Sequence, residues 1–105
     1  MVRLTVALDA DSAKSAQDLL DAFRFIVMNT RLEPNCLASY AWSDPDWTVR
    51  YIEEWSQEAH LRERVRSPAF TTLLSIIESA SNPQVRFDFV SAARGLDFVA
   101  EVRGG

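Results

Sequence analysis

Residues 36–55 read CLASYAWSDPDWTVRYIEEW, and this stretch decides the fold. Ser43, Asp44, Pro45 and Asp46 are the residue types that fix or tolerate turn backbone, and they sit between two short runs that carry aromatic and β-branched side chains. On the second run, alternation puts Trp47, Val49, Tyr51, Glu53 and Trp55 on one face and Ile52 on the other. Two strands around a tight turn make an antiparallel hairpin, with Cys36 to Trp42 as its first arm.

Working outward from the hairpin, residues 2–8 alternate as Val2, Leu4, Val6 and Leu8, the period of a half-buried strand. Asp11 or Ser12 can cap a helix whose apolar positions Ala16, Leu19, Leu20, Phe23, Ile26 and Val27 recur at the 3.6 period, which predicts a helix to about Leu32. Pro34 and Asn35 then suit the centre of a type II turn. Downstream, Ser56 can cap a short helix, with Glu58 and Arg62 spaced as an i,i+4 pair. Ser67 followed by Pro68 restarts a helix whose Phe70, Leu73, Leu74 and Ile77 share a face and which ends near Asn82 and Pro83. Val85, Phe87 and Phe89 mark a fourth strand, and Leu96 to Val102 reads as a fifth. The order predicts an α+β, ferredoxin-like βαββαβ antiparallel sheet with helices on one face and an extra C-terminal strand.

Bulk properties exclude several function classes. At 105 residues and 48% hydrophobic, the chain is long enough for one core, so a single domain over residues 1–105 is expected. A net charge of -4 with scattered Lys and Arg offers no field for a phosphate backbone, and no nucleic-acid partner is expected. No apolar run approaches the roughly 20 residues that span a bilayer, and the first residues lack a signal-peptide core, so no membrane association and a cytoplasmic location are expected. Cys36 and His60 are the only residues of their kinds, which rules out an intrachain disulfide and a Cys/His zinc cluster within one chain. Asp44 and Asp46 read as turn residues before they read as ligands for a hard cation, so no metal is expected. Leu96, Phe98, Val99, Val102 and Ile52 are more apolar surface than one sheet face needs, and a C2 homodimer with the last strand reaching across would bury it.

Three landmarks carry a resemblance: Glu33-Pro34-Asn35-Cys36 after the first helix, the strand end Glu53-Glu54-Trp55, and Ser67-Pro68-Ala69-Phe70 opening the third helix. In order and spacing they resemble the antibiotic-biosynthesis-monooxygenase domain. The resemblance implies a dimeric α/β barrel with a cavity between sheet and helices. It also implies cofactor-free oxidation of a quinol-type or otherwise conjugated small molecule, although other members are isomerases, haem-degrading enzymes or proteins without assigned activity. This chain departs from the pattern where the family usually carries a histidine three residues before the serine-proline cap: the position is Arg64, and His60 lies one turn earlier. Leu74, where the haem-degrading branch carries a ligating histidine, cannot hold iron.

Cofactor-free oxygen chemistry needs a dry cavity, a proton acceptor and donors that stabilise an anion. His60 and Arg64 share a helix face at i,i+4 and are candidate catalytic groups. The alternative for both is a solvated helix surface. Glu53, a carboxylate on an otherwise aromatic strand face, must be paired or have a raised pKa, with Arg50, Arg64 or Arg86 as partner, and general-base work is the other reading. Tyr51 and Trp55 are candidate substrate-binding walls, with core packing as the alternative, while Trp47 and Cys36 read as buried core residues. A non-catalytic small-ligand-binding barrel, or an isomerase or decarboxylase using the same cavity, would employ the same side chains.

Overall fold

A computed structural model describes residues 1–89 and 102–103 of the chain. Its elements run β1 (Val2–Asp9), α1 (Ala13–Thr30), β2 (Cys36–Ser43), β3 (Thr48–Trp55), α2 (Glu58–Arg66), α3 (Pro68–Ser79) and β4 (Gln84–Phe89). The strands form one antiparallel sheet in the order β2-β3-β1-β4, the ferredoxin-like arrangement that the sequence pattern predicts. No helix among the described residues is long and apolar enough to cross a membrane.

Register decides which side chains meet. Val2, Leu4, Val6 and Leu8 of β1 stand opposite Trp55, Glu53, Tyr51 and Val49 of β3, so a single parity of both strands faces the helices. Phe23, Ile26 and Val27 of α1 and Phe70, Leu73 and Ile77 of α3 close over that face. Phe23 stacks on Tyr51 with ring centroids 5.1 Å apart. A smaller cluster of Val2, Trp55 and Leu61 seats the start of α2 against the end of β3.

Several expectations need correction. Trp47 is not on the inner face of β3. It closes the hairpin turn, donating its N–H to Asp44 O at 3.0 Å, with φ of 67° and its ring exposed. The strand starts only at Thr48, whose N–H is held by Asp46 Oδ1 at 3.1 Å. Asn35 does not take up positive φ, so the turn closed by Cys36 N–H on Glu33 O is not type II; type I accepts proline at its first central position equally well. Helix α1 stops at Thr30, two residues early, and Ser12 is its cap, accepting Ser15 N–H. Ser56 does not cap α2, whose N-cap is Gln57; Ser67 is the N-cap residue of α3 with Pro68 at its start, as expected, but its hydroxyl donates back to Arg64 O and makes no cap bond. Leu74, expected on the shared apolar face of α3, is exposed. The expected fifth strand lies outside the described residues except at Val102, whose backbone with that of Arg103 is helical.

Helix α2 buries Leu61 and Arg64 and leaves Val65, which could equally have shared a face with Leu61, exposed. Both pairs fit a helix face, at i,i+3 and i,i+4. The arginine wins because β3 presents a fully buried acceptor, Glu53, and an unpaired carboxylate there would cost several kcal/mol. Arg64 Nη2 lies 3.0 Å from Glu53 Oε2 with both side chains almost completely out of solvent, and this pair sets the rotation of α2 on the sheet.

The opposite face of the sheet carries Ile52, 9% exposed, beside the tilted pair Tyr40 and Trp42 of β2. Ion pairs flank it, Arg3 with Glu54 at 2.7 Å and Arg50 with Asp44 at 2.6 Å. On β4, Val85, Phe87 and Phe89 have the parity of the helix-covered face yet remain exposed.

Two stability outcomes follow. Arg64→Ala should lower the unfolding free energy by about 3–5 kcal/mol in urea titration, because it strands a buried carboxylate, whereas the double replacement Glu53→Gln with Arg64→Met should lose distinctly less. Trp47→Gly should unfold in urea with a free energy about 1 kcal/mol higher than Trp47→Ala, since both lose the indole but only glycine takes the left-handed conformation without a Cβ penalty.

Candidate active site

The site is assembled around one carboxylate. Glu53 is fully buried between Leu4 on β1 and Ser39 on β2. Its two oxygens accept four hydrogen bonds. Oε1 takes Trp55 Nε1–H at 2.9 Å and Arg64 Nε–H at 3.2 Å; Oε2 takes Arg64 Nη2–H at 3.0 Å and the Tyr51 hydroxyl. Alternate positions of a strand share a face, which is why Tyr51, Glu53 and Trp55 stand in line; Arg64 reaches them because α2 folds back directly after Trp55. Among the three arginines that could pair with Glu53, it is Arg64 that does so, while Arg50 binds Asp44 and Arg86 binds Asp88.

The network extends to Thr30, a residue the sequence reading passed over. Arg64 Nη2 donates to Thr30 Oγ1 at 3.0 Å, and that hydroxyl donates to Ile26 O at 2.7 Å. Thr30 is four residues past Ile26 and three past Val27, so it continues the buried stripe of α1, and that spacing was the available sign. The Arg64 guanidinium also lies 5.8 Å from the Phe70 ring centroid. Its Nη1 has no hydrogen bond to a described residue.

Electrostatics follow from burial. Burial and the adjacent Glu53 charge push the Tyr51 phenol well above its ordinary range, so it keeps its proton and donates it to the carboxylate. Burial alone would lower the Arg64 pKa, but the hydrogen bonds and charge of Glu53 outweigh it and the guanidinium is held charged. Burial and Glu53 raise the Cys36 thiol, which removes it as a nucleophile.

Beside this network opens a pocket of about 230 Å³. Trp55, His60 and Arg64 line it together with Glu63, and the turn after α1 adds Glu33 and Asn35. Ser67 completes the wall. His60 therefore faces the pocket edge from α2, with Nδ1 2.8 Å from Ser56 Oγ, the hydroxyl that sequence reading assigned to a helix cap. Tyr51 and Glu53 are not part of the lining. The five expected site residues thus divide: Tyr51, Glu53, Trp55 and Arg64 form one hydrogen-bonded unit, and His60, Trp55 and Arg64 share the pocket. Glu33, Asn35 and Ser67 are landmark residues of the resemblance that carry no expected site role, and Glu63 joins them only through the fold. Among the described residues no group of His, Cys, Asp and Glu has the geometry to hold a metal ion.

No protein-family model matches the sequence, and no curated protein sequence is significantly similar to it. Solved structures are similar in fold. An antibiotic biosynthesis monooxygenase aligns with 24% identity and a TM-score of 0.68, over 87% of this chain and 99% of the other. A Deinococcus radiodurans protein given the same designation provisionally aligns with 20% identity and a TM-score of 0.74, over 87% and 93%. The Pseudomonas aeruginosa protein PA3566 aligns with 21% identity and a TM-score of 0.68, over 87% and 94%. The chain therefore has the ferredoxin-like fold of structures named antibiotic biosynthesis monooxygenases.

Proposed function

We propose that this protein is a cofactor-independent, monooxygenase-like enzyme that oxidises a quinol-type or otherwise conjugated small molecule in the pocket beside Trp55. The observation that carries the reading is the placement of His60: its ring is tethered through Nδ1 to Ser56 and shares a pocket with the Arg64 guanidinium. With the Nδ1 proton donated to Ser56 Oγ, Nε2 holds a lone pair that can take a phenolic or carbon-bound proton. Arg64 Nη1 supplies donors for the oxyanion that deprotonation creates. The substrate anion then passes one electron to O₂, the radical pair joins as a peroxide, and loss of water from it converts a methylene and O₂ into a carbonyl and H₂O. No cofactor is required, because the electrons come from the substrate itself.

Glu53, Tyr51 and Thr30 have positioning roles in this scheme. Both oxygens of Glu53 already accept two hydrogen bonds, which fits a group that holds Arg64 and Trp55 in place better than one that accepts a substrate proton. The same saturation supports the second reading, a non-catalytic barrel that binds a small ligand, and the fold likeness by itself suits either. Assembly is part of the proposal: Ile52, Tyr40 and Trp42 on the open sheet face, framed by ion pairs, suit burial against a second copy in a cytoplasmic homodimer.

Replacing His60 by Ala should lower kcat/KM for a substrate quinol by at least ~10²-fold, while the unfolding free energy from urea titration shifts by no more than about 0.5 kcal/mol. An unchanged rate would favour the binding-only barrel. In sedimentation velocity the protein should run as a dimer, and Ile52→Lys should convert it to monomer; a wild-type monomer at dilute concentration would end the assembly proposal.

A further inference from the structure

The charges around the His60 pocket are unevenly matched. Glu33, from the turn after α1, and Glu63, on α2, both line it, both are exposed, and neither carboxylate forms an ion pair with a described residue. Among the described residues Arg64 is the only lysine or arginine in the lining, and its charge is matched by Glu53 at 3.0 Å. Arg31, Arg62 and Arg66, which flank the two glutamates in sequence, are not part of the wall. Arg64 itself is only 5% exposed, yet its Nη1 has no hydrogen bond to a described residue. The pocket thus combines one buried side chain with uncommitted donors and two exposed carboxylates without a counter-charge.

We infer that the pocket selects phenolic substrates that also carry an ammonium group, held by Glu33 and Glu63 while the ring packs on Trp55 and the phenolic oxygen meets Arg64 and His60. This inference rests on the site proposed above and adds the charge of the substrate. Deprotonating a neutral quinol here would bring a third negative charge beside the two carboxylates, with the one guanidinium already neutralised by Glu53; an ammonium on the substrate offsets it. Exposure of the carboxylates favours such a cation. At their level an ammonium keeps most of its water and avoids the desolvation cost of a buried charge, while each carboxylate at contact distance contributes on the order of fivefold in affinity even at the dielectric of water. A substrate carboxylate meets the same charges with the opposite sign and is disfavoured.

The test uses three phenols alike in size and unlike in charge, the cation tyramine, the neutral tyrosol and the anion 4-hydroxyphenylacetate, titrated near neutral pH into the intact protein. The readout is the NMR shift of the Trp55 indole N–H, distinguished from those of Trp42 and Trp47. Tyramine should give a saturable shift and bind roughly tenfold tighter than tyrosol, with 4-hydroxyphenylacetate the weakest of the three. Raising NaCl to about 0.5 M should shrink the tyramine advantage and leave tyrosol affinity within about twofold. The Glu33→Gln, Glu63→Gln double variant should bring tyramine to within about twofold of tyrosol while tyrosol affinity stays within about twofold of wild type. Glu78→Gln, which removes an exposed acid on α3 outside the pocket, should preserve the preference. Equal affinity of the wild-type protein for tyramine and tyrosol, or a preference that survives in the double variant, would overturn the inference and leave the site in place. A Trp55 signal that none of the three phenols moves would instead remove the site itself.

Discussion

A carboxylate with no access to solvent is the constraint on which the rest of this structure depends. Glu53 occupies an inward position of a central strand, opposite Leu4, where the pattern of the sheet calls for an apolar side chain. A charge there is tolerated only if every lone pair finds a donor, and the surrounding elements are arranged to provide them. Two donors come from its own strand face, Tyr51 and Trp55, and two from Arg64 across the helix layer. Replacing the assembly by hydrocarbon would fill the space at less electrostatic cost. What the charged version adds is geometric definition, because hydrogen bonds are directional and apolar contacts are not.

That definition passes to the pocket. Helix α2 is short and strongly polar, and Leu61 is its only buried apolar residue, so apolar packing alone would leave its rotation poorly determined. The bidentate grip of Arg64 on Glu53 fixes it. Once α2 is fixed, His60, one turn before Arg64, is carried to the pocket edge, and Ser56 at the strand-to-helix junction is close enough to orient the ring. Thr30 ties the same guanidinium to α1, so three elements meet at one side chain. The pocket is accordingly bounded by α2, the end of β3 and the turn after α1.

The two faces of the sheet are finished differently. On the helix side of β1 and β3 the inner positions are closed by α1 and α3, while on β4 the same parity stays uncovered at Val85, Phe87 and Phe89. The far face mixes Ile52 and two aromatics with ion pairs. A surface of that kind has a hydrophobic centre and a charged frame, the anatomy of an interface core and rim.

Local rules in the sequence determined the sheet, its helices and their order. Alternation in β1, β3 and β4 and the 3.6 period of α1 and α3 depend on which side of one element is wet, a property each segment carries by itself. The same alternation put Tyr51, Glu53 and Trp55 on a common face, and the i,i+4 spacing put His60 with Arg64. Tertiary structure decided which alternatives were taken. Val65 and Arg64 were equally good inward residues until Glu53 was placed beneath the helix, and Ser56 was a good cap until His60 came within 2.8 Å of it. Trp47 satisfied the strand pattern, yet the hydrogen bonds of the Asp44 turn claimed its backbone and turned its ring outward. The choice of Arg64 over Arg50 and Arg86, the recruitment of Thr30, and the meeting of Glu33 and Asn35 with His60 at one pocket all depend on distances between segments far apart in the chain. Periodicity says which way a side chain points; what it meets there is fixed only when the elements pack.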